Sequence, residues 1–274
     1  MIPKLAMGNI FADRKTVKSF AWEHGFSGIE WSFDLAAMPR TPAQESEWVQ
    51  CITALRPFEV RFHCPFYQVD LGHDDPDESR SADTLFRHII RLVSKAEGSY
   101  LTIHVGLGHN STETLSWERT IRNLQRLVQY GMERQVIVCL ENLAWGWTSR
   151  PQLFEKLVRK SGVGVTFDIG HAYACESVAS RHYTMEDFVV PHPHRVFNAH
   201  VYHTEISGHG HVAPEGPDDL RSRLHILEQI GCPWWVIEIQ EPEALVRTKG
   251  IVDDYLKDRE ERGEKTSDVK RFVS

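Results

Sequence analysis

Short apolar runs recur along the chain, and each is followed by a longer segment with apolar residues spaced three and four apart. Such runs are typical of strands buried in a parallel sheet, and the following segments of amphipathic helices. Segments 81–98 and 117–135 show the helical pattern, with Arg and Lys on the polar face. The predicted strands are KLAMG (4–8), GIEWS (28–32), EVRFH (59–63), YLTIHVG (100–106), VIVCLEN (136–142), VGVTFD (163–168), RVFNAHV (195–201) and WWVIEI (234–239).

Eight strand and helix pairs predict an α/β fold, a single (β/α)8 TIM barrel with its active site at the C-terminal mouth. A doubly wound open sheet is the alternative. The segment after the first strand reads GNIFADRKT, however, without the G-x-G-x-x-G turn expected of that fold. We assign residues 1–258 to the barrel and residues 259–274 to a polar C-terminal tail.

Composition narrows the classes of function. The 274 residues carry a formal charge of −7, which disfavours nucleic acid as a partner without excluding it. The sequence shows neither a secretion signal nor an apolar run long enough to cross a membrane. Its five cysteines form no C-x-x-C pair, which is usual in a reducing compartment. We therefore expect a soluble cytoplasmic protein that binds no membrane.

Residues able to bind metal or transfer protons end most of the predicted strands. They are Glu30, His63, His104, Glu141, Asp168, His200 and Glu238. Any one of them could be a helix cap or a satisfied core residue, but several carboxylates meeting in one barrel mouth repel one another unless a cation compensates. Oxygen and imidazole ligands suit Mn²⁺, Mg²⁺, Co²⁺, Zn²⁺ or Fe²⁺. We predict that Glu141, Asp168, His200 and Glu238 bind one divalent ion.

The stretch FDIGH (167–171) allows two interpretations. Asp168 lies where a strand meets a helix, so it is a candidate N-cap, and His171 would then be a surface residue. Beside the other strand-end residues, Asp168 is instead a predicted metal ligand and His171 a group that faces the substrate. The capping role can coexist with the metal site.

The segment HVYHTEISGHGHVAPEG (200–216) is rich in histidine. His203 and His209 could be incidental. His211 is followed by Pro-Glu-Gly, which can fix a loop that folds His211 over the mouth.

Aromatic residues at or just past the strand ends could stack on a sugar or simply plug the top of the barrel. Trp31, Phe66 and Trp145 are our candidates for substrate contact, together with His63, His104 and His211.

The chain resembles the xylose isomerase-like TIM barrels, which include sugar isomerases and epimerases and the endonuclease IV class of abasic-site nucleases. The resemblance covers roughly residues 3–240. It rests on HCPF (63–66), IHVG (103–106), LENL (140–143), FDIGH (167–171), AHVYH (199–203) and IEI (237–239).

The sugar-converting relatives imply that Glu141, Asp168, His200 and Glu238 hold one Mn, Mg, Co or Zn ion. Glu141 and Glu238 would remove and return a proton of a sugar, sugar phosphate or cyclitol through a metal-bound ene-diolate. His171 would hydrogen-bond a substrate hydroxyl or the developing oxyanion. A dehydratase would use the same groups, and the resemblance is compatible with a homodimer.

The nuclease relatives imply a zinc-dependent abasic-site endonuclease or another phosphoester hydrolase with two or three zinc ions. The additional ligands would be His63, His104, His171 and His211. Two positions usually occupied by Asp are His203 and His209 here, and the third strand-to-helix loop, YQVDLGHDDPDESR, has five acids against one Arg. A third hypothesis is a non-catalytic barrel that binds a ligand or partner.

Overall fold

The structure is a computed structural model that describes residues 2–67, 69–108, 111–206 and 208–271. Eight parallel strands form a closed barrel, which confirms the predicted TIM barrel. They are β1 (Lys4–Gly8), β2 (Gly28–Ser32), β3 (Glu59–His63), β4 (Tyr100–Ile103), β5 (Ile137–Glu141), β6 (Gly164–Asp168), β7 (Val196–Val201) and β10 (Trp234–Ile237).

The barrel closes through β1, which pairs with β2 on one side and with β10 on the other. Ala6 lies opposite Gly28, and Lys4 lies opposite Trp234. A Cβ atom at Gly28 would lie 2.0 Å from the Trp234 ring, so only glycine allows this indole to fill the barrel there.

The remaining two strands were not predicted. β8 (Thr204–Ile206) and β9 (Gly210–Val212) form a two-stranded antiparallel sheet, which we call the mouth hairpin, inside the histidine-rich segment. The segment is too short and polar to show the alternation that identifies a strand over four to eight residues.

The helices surround the barrel. They are α1 (Arg14–Glu23), α2 (Pro42–Thr53), α3 (Pro76–Lys95), α4 (Trp117–Met132), α5 (Pro151–Ser161), α6 (Ile169–Ala174), α7 (Glu176–Ala179), α8 (Asp218–Gln229) and α9 (Pro242–Arg271), with 3-10 turns at Ser111–Thr114, Met185–Phe188 and Pro193–Arg195. None of the described helices is long and apolar enough to cross a membrane.

Local signals set where several helices begin. Proline stands in the first turn of α2, α3 and α5, where its missing N–H costs no hydrogen bond. The side chain of Asp75 caps α3, and that of Ser116 caps α4. The last helix, α9, continues to Arg271 and so includes most of the segment that we separate as a polar tail.

The barrel interior is filled in layers because alternate residues of each strand point inward. Its middle holds a set of polar side chains that we call the basal layer: Arg61, Thr102, Thr166 and Asn198. Two residues further along their strands lie His63, His104, Asp168 and His200, at the mouth. These four residues therefore form the next inward-facing layer, directly above the basal layer.

Candidate metal centre

The four predicted ligands come from four strands that are neighbours in the barrel. Glu141 ends β5, Asp168 ends β6, His200 lies in β7, and Glu238 directly follows β10. One ligand atom from each lies within 4.8 Å of the others, and all four side chains are buried. We call these four residues the mouth cluster.

His200 lies at the centre of the mouth cluster. Its Nδ1 is 2.9 Å from Glu238 Oε2, 3.3 Å from Glu141 Oε1 and 3.7 Å from Asp168 Oδ2. Among the described residues, neither Nδ1 of His200 nor Oε2 of Glu238 has a hydrogen-bond partner, although the two atoms lie close together. Buried nitrogen and oxygen atoms that face one another without a hydrogen bond can both be satisfied by a cation bound between them. The mouth cluster therefore fits a divalent metal.

The carboxylates around His200 also change its protonation. Burial alone lowers the pKa of this imidazole, but Glu238, Glu141 and Glu30 outweigh burial and raise the pKa well above its usual value. Glu30 Oε1 lies 2.9 Å from Nε2, on the far side of the ring from the mouth cluster. Glu30 thus supports the metal-facing orientation of His200 from behind.

Glu141 is the most heavily contacted carboxylate of the site. Its Oε2 lies 3.1 Å from Nε2 of both His63 and His104, and its Oε1 lies 3.3 Å from His171 Nδ1. Burial raises the pKa of a carboxyl group, but the surrounding imidazoles, His200 and His104 first, bring the pKa of Glu141 well below its usual range. Glu141 is therefore ionised and able to bind a cation or a proton.

Asp168 caps a helix and also faces the mouth cluster, so the two interpretations of FDIGH are compatible. Its Oδ1 accepts a hydrogen bond of 2.6 Å from the backbone N–H of His171, which caps α6. Its Oδ2 accepts a hydrogen bond of 3.0 Å from Tyr202 Oη and faces the mouth cluster. The side chain of Asn142 bonds both the N–H and the C=O of Asp168, which fixes the end of β6.

His171 is buried between the mouth cluster and a second group of side chains. Its Nδ1 lies 3.1 Å from Asp168 Oδ2 and 3.1 Å from the Asn142 carbonyl oxygen. Burial lowers the pKa of His171, but the charge of Asp168 and the contact with Glu141 outweigh it and raise the pKa to about 9. His171 is thus not the surface residue of the capping interpretation.

The second group, which we call the hairpin cluster, consists of His171, Glu205 and His211. Glu205 on β8 is paired directly with His211 on β9. Sequence reasoning missed Glu205, because nothing in TEISG indicates that a hairpin will turn this side chain inward. His211 lies over the mouth as expected, and its Nδ1 lies 3.0 Å from the Glu238 carbonyl oxygen.

The other two histidines of that segment lie elsewhere. Arg223 of α8 donates to Nδ1 of His203 at 3.0 Å, which holds this ring on the side of α8. His209 is exposed in the turn between β8 and β9. Neither belongs to the groups of possible metal ligands among the described residues.

The structure brings two of the three predicted aromatic residues to the mouth. Phe66 stacks on His63 with ring centroids 4.6 Å apart and is 53% exposed, and Trp145 meets His171 edge to face at 5.8 Å. Trp31 does not join them. Because neighbouring strand residues point to opposite faces and Glu30 points inward, Trp31 points outward and packs against the hydrophobic core.

A cavity of about 570 Å³ opens beside the mouth cluster. Its walls include Phe66, His211 and Glu238. The volume is in the range of small-molecule sites, and the cavity has both an aromatic wall and a carboxylate.

Comparison with known proteins places the chain in a family. The sequence model of the family described as "Xylose isomerase-like TIM barrel" matches residues 19–255, so the chain belongs to that family. An uncharacterised protein of Methanocaldococcus jannaschii is 25% identical over 197 residues, which cover 72% of this chain and 80% of that protein.

Solved structures share the fold at low sequence identity. A D-tagatose 3-epimerase-like protein superposes with a TM-score of 0.70 and 17% identity, covering 94% of this chain and 99% of the other. Endonuclease IV from Thermus thermophilus superposes with a TM-score of 0.69 and 15% identity, covering 93% and 100%. The fold is thus common to proteins named for sugar conversion and for DNA cleavage.

Proposed function

We propose that this member of the xylose isomerase-like TIM barrel family is a divalent-metal-dependent isomerase or epimerase of a sugar, sugar phosphate or cyclitol, acting in the cytoplasm. The observation that carries the proposal is the order of the mouth cluster around the barrel. Glu141 and Glu238 stand at the two ends of a four-strand arc, with Asp168 and His200 between them.

The donor set supports one hard or borderline divalent ion. Three carboxylates and one imidazole, all buried, suit Mn²⁺, Mg²⁺, Co²⁺ or Zn²⁺. When bound, such an ion polarises the oxygens of a carbonyl and an adjacent hydroxyl, and so makes the neighbouring C–H bond more acidic.

The chain itself supplies the proton transfers. A sugar lying between Glu141 and Glu238 presents opposite faces of one carbon to the two carboxylates, which is the geometry needed to remove a proton from one side and return it to the other. Both groups are ionised, because imidazoles outweigh burial: His200 and His211 lower the pKa of Glu238 to about 2. In this proposal Phe66 and Trp145 offer apolar surface to the sugar ring, and His171 contacts a hydroxyl group.

A zinc-dependent phosphoester hydrolase is the second candidate. It is favoured by the further groups of possible ligands beside the mouth cluster, including His63 with His104 and the hairpin cluster. Two features argue against a DNA substrate: the β3-to-α3 loop is acidic, and Arg223 of α8 is buried against His203 and Tyr173.

The proposal is tested by incubating metal-loaded protein with ketoses, aldoses and cyclitols, with and without phosphate, in deuterated water. NMR then follows inversion or isomerisation and the uptake of solvent deuterium at the reacting carbon. We expect deuterium uptake that chelator abolishes and that Glu238→Gln lowers by at least about 1,000-fold. Glu215→Gln, with the same charge change at an exposed site, is the matched control.

The outcome separates the two candidates. Wild-type rates in Glu238→Gln would contradict the two-carboxylate mechanism. Cleavage of abasic DNA or of a simple phosphodiester, without deuterium uptake by any sugar, would establish the hydrolase instead.

A further inference from the structure

A groove with a volume of about 870 Å³ lies between α3 and the segment that joins β2 to α2. We call it the α3 groove. One wall is formed by α3, from Asp77 to Arg91, and the other by residues 35–40 together with Glu45 in the first turn of α2. None of these residues belongs to the mouth cluster or to the hairpin cluster. The α3 groove is therefore separate from the candidate metal centre.

The α3 wall of the groove follows one face of the helix. Its lining residues recur three or four positions apart from Asp77 to Arg91, as residues on one side of a helix do. Fourteen steps along a helix, at about 1.5 Å each, give a wall about 21 Å long. The volume lies within the range of small-molecule sites, so the groove can hold an elongated organic molecule.

Side-chain bonds hold the two walls together. His88 of α3 donates from Nε2 to the Pro39 carbonyl oxygen at 2.7 Å, and its Nδ1 accepts from Arg91 at 2.9 Å. At the far end of α3, Lys95 forms an ion pair with Glu45 of α2. The groove is thus formed before any ligand arrives, which lowers the entropic cost of binding.

The groove combines an apolar surface with an excess of positive charge. Its apolar lining residues are Leu35, Met38 and Leu85, and all three pack against the hydrophobic core. Its cations are Arg40, Arg80 and Arg91.

Two of these arginines are not paired with a carboxylate. Asp77 pairs with Arg80, and Glu45 pairs with Lys95, so both acids of the lining are compensated. Arg91 donates to His88, as described above. Among the described residues, the guanidinium of Arg40 has no hydrogen-bond or ion-pair partner, since only its backbone N–H is bonded, to Gln44. The groove is therefore locally positive in a chain whose formal charge is −7.

We propose that the α3 groove binds a small organic anion that carries an apolar group. The apolar group lies against Leu35, Met38 and Leu85, and the anionic group is bound by Arg40 and Arg91, because guanidinium groups form strong charge-assisted hydrogen bonds with anions. A sugar or polyol lacks a large apolar group and fits this lining poorly. The site thus takes a ligand other than the substrate of the proposed function, and it does not depend on that function.

Fluorescence titration with anilinonaphthalene sulfonate tests the site. This probe is an aromatic anion that fluoresces strongly in apolar surroundings, and phenylnaphthylamine is its uncharged analogue. We expect the wild-type protein to bind one molecule of the anionic probe per chain, at least about 10-fold more tightly than the uncharged analogue. Added salt should weaken this binding, because it screens exposed charges.

Two variants change the charge of the groove. Arg40→Gln removes a cation, and Thr84→Asp places an acid in the α3 wall, so each should lower the affinity for the anionic probe by at least about 10-fold. Arg126→Gln and Thr53→Asp make the same changes at exposed positions of α4 and α2 outside the groove, and should bind as wild type does. Thermal unfolding checks that all four variants are folded.

The α3 groove is overturned as the site if the wild-type protein does not bind the anionic probe, or if either Arg40→Gln or Thr84→Asp binds it as tightly as wild type. Phe66→Ser tests binding at the barrel mouth instead, and loss of the probe in that variant would also overturn the proposal. Because no step of the titration measures turnover of a sugar, its outcome is distinguishable from that of the proposed function.

Discussion

Two neighbouring layers of the barrel interior, the basal layer and the mouth, both contain buried polar and charged side chains, yet they differ in how many of these have hydrogen-bond partners. In the basal layer, Arg61 donates to the carbonyl of Phe197 and to the side chains of Asn198 and Glu59. Its guanidinium also lies over the rings of Tyr100 and Trp234, at 3.9 and 4.4 Å.

The hydroxyl groups of the basal layer continue that network. Thr102 and Thr166 share a hydrogen bond of 2.8 Å, and Asn198 donates to Thr166 at 3.1 Å. Nε1 of Trp234 has no partner in the described structure, but Arg61, the charged group of this layer, makes three hydrogen bonds.

At the mouth, in contrast, several buried polar atoms of the described chain have no hydrogen-bond partner. Within the described residues, both nitrogens of His200 and one oxygen each of Glu30, Glu205 and Glu238 are buried without a hydrogen bond. The carboxylates also outnumber any fixed cation there. Buried charge alone therefore does not distinguish the candidate site in this barrel, whereas buried charge without hydrogen-bond partners does.

The sharpest test of this comparison is Glu141→Gln. We expect the deuterium exchange that reports turnover to fall by at least about 1,000-fold and metal affinity to fall by at least about 10-fold, because an ionised carboxylate of the mouth cluster is removed. Exchange kinetics and calorimetric metal titration measure the two quantities. Wild-type exchange and metal affinity in this variant would contradict the role of Glu141 in the site.

Arg61→Met should lower stability without lowering metal affinity. Its loss leaves the Phe197 carbonyl and the Asn198 side chain without their donor, so we expect the free energy of unfolding to fall by about 3 kcal/mol. Metal affinity should remain near that of wild type. Lys4→Met is the matched control: it removes the exposed partner of the same Glu59 and should cost less than about 1 kcal/mol.

Metal binding should stabilise the mouth and leave the basal layer unaffected. At a free Mn²⁺ or Zn²⁺ concentration of about 100 times Kd, the free energy of unfolding should rise by about 2.7 kcal/mol, and chelator should reverse the gain. Calorimetric melting of wild type and Arg61→Met should show the same gain in both proteins. Absence of any gain in wild type would count against the mouth cluster as a metal site.

The smallest expected effect is that of Thr102→Val. One buried hydrogen bond of the basal layer is lost, so urea unfolding should show a cost of about 1 kcal/mol with metal content unchanged. Thr84→Val, which removes a hydroxyl group on the exposed face of α3, should change stability by less than about 0.5 kcal/mol. Loss of metal from Thr102→Val would show that the two layers are coupled.

The sequence by itself determined the barrel and the four residues of the mouth cluster. Strand and helix periodicities are local properties, so the eight strands were found with ends that differ by no more than a few residues, the largest difference being in β4. Because every strand of such a barrel runs in the same direction, the residues at the strand ends had to meet at one mouth, and Glu141, Asp168, His200 and Glu238 do so. The helix cap at Asp168 could also be predicted, because it is a hydrogen bond between residues only three apart in the sequence.

Only the tertiary structure decided the rest. Glu205 becomes a candidate ligand because a short hairpin pairs it with His211, and Glu30 supports His200 because strands far apart in sequence face each other across the barrel. Trp31 was a candidate for substrate contact, but the register of β2 turns Glu30 inward and Trp31 outward against the hydrophobic core. These contacts join residues distant in sequence, or depend on pairing too short to leave a periodic pattern, so no local rule could have specified them.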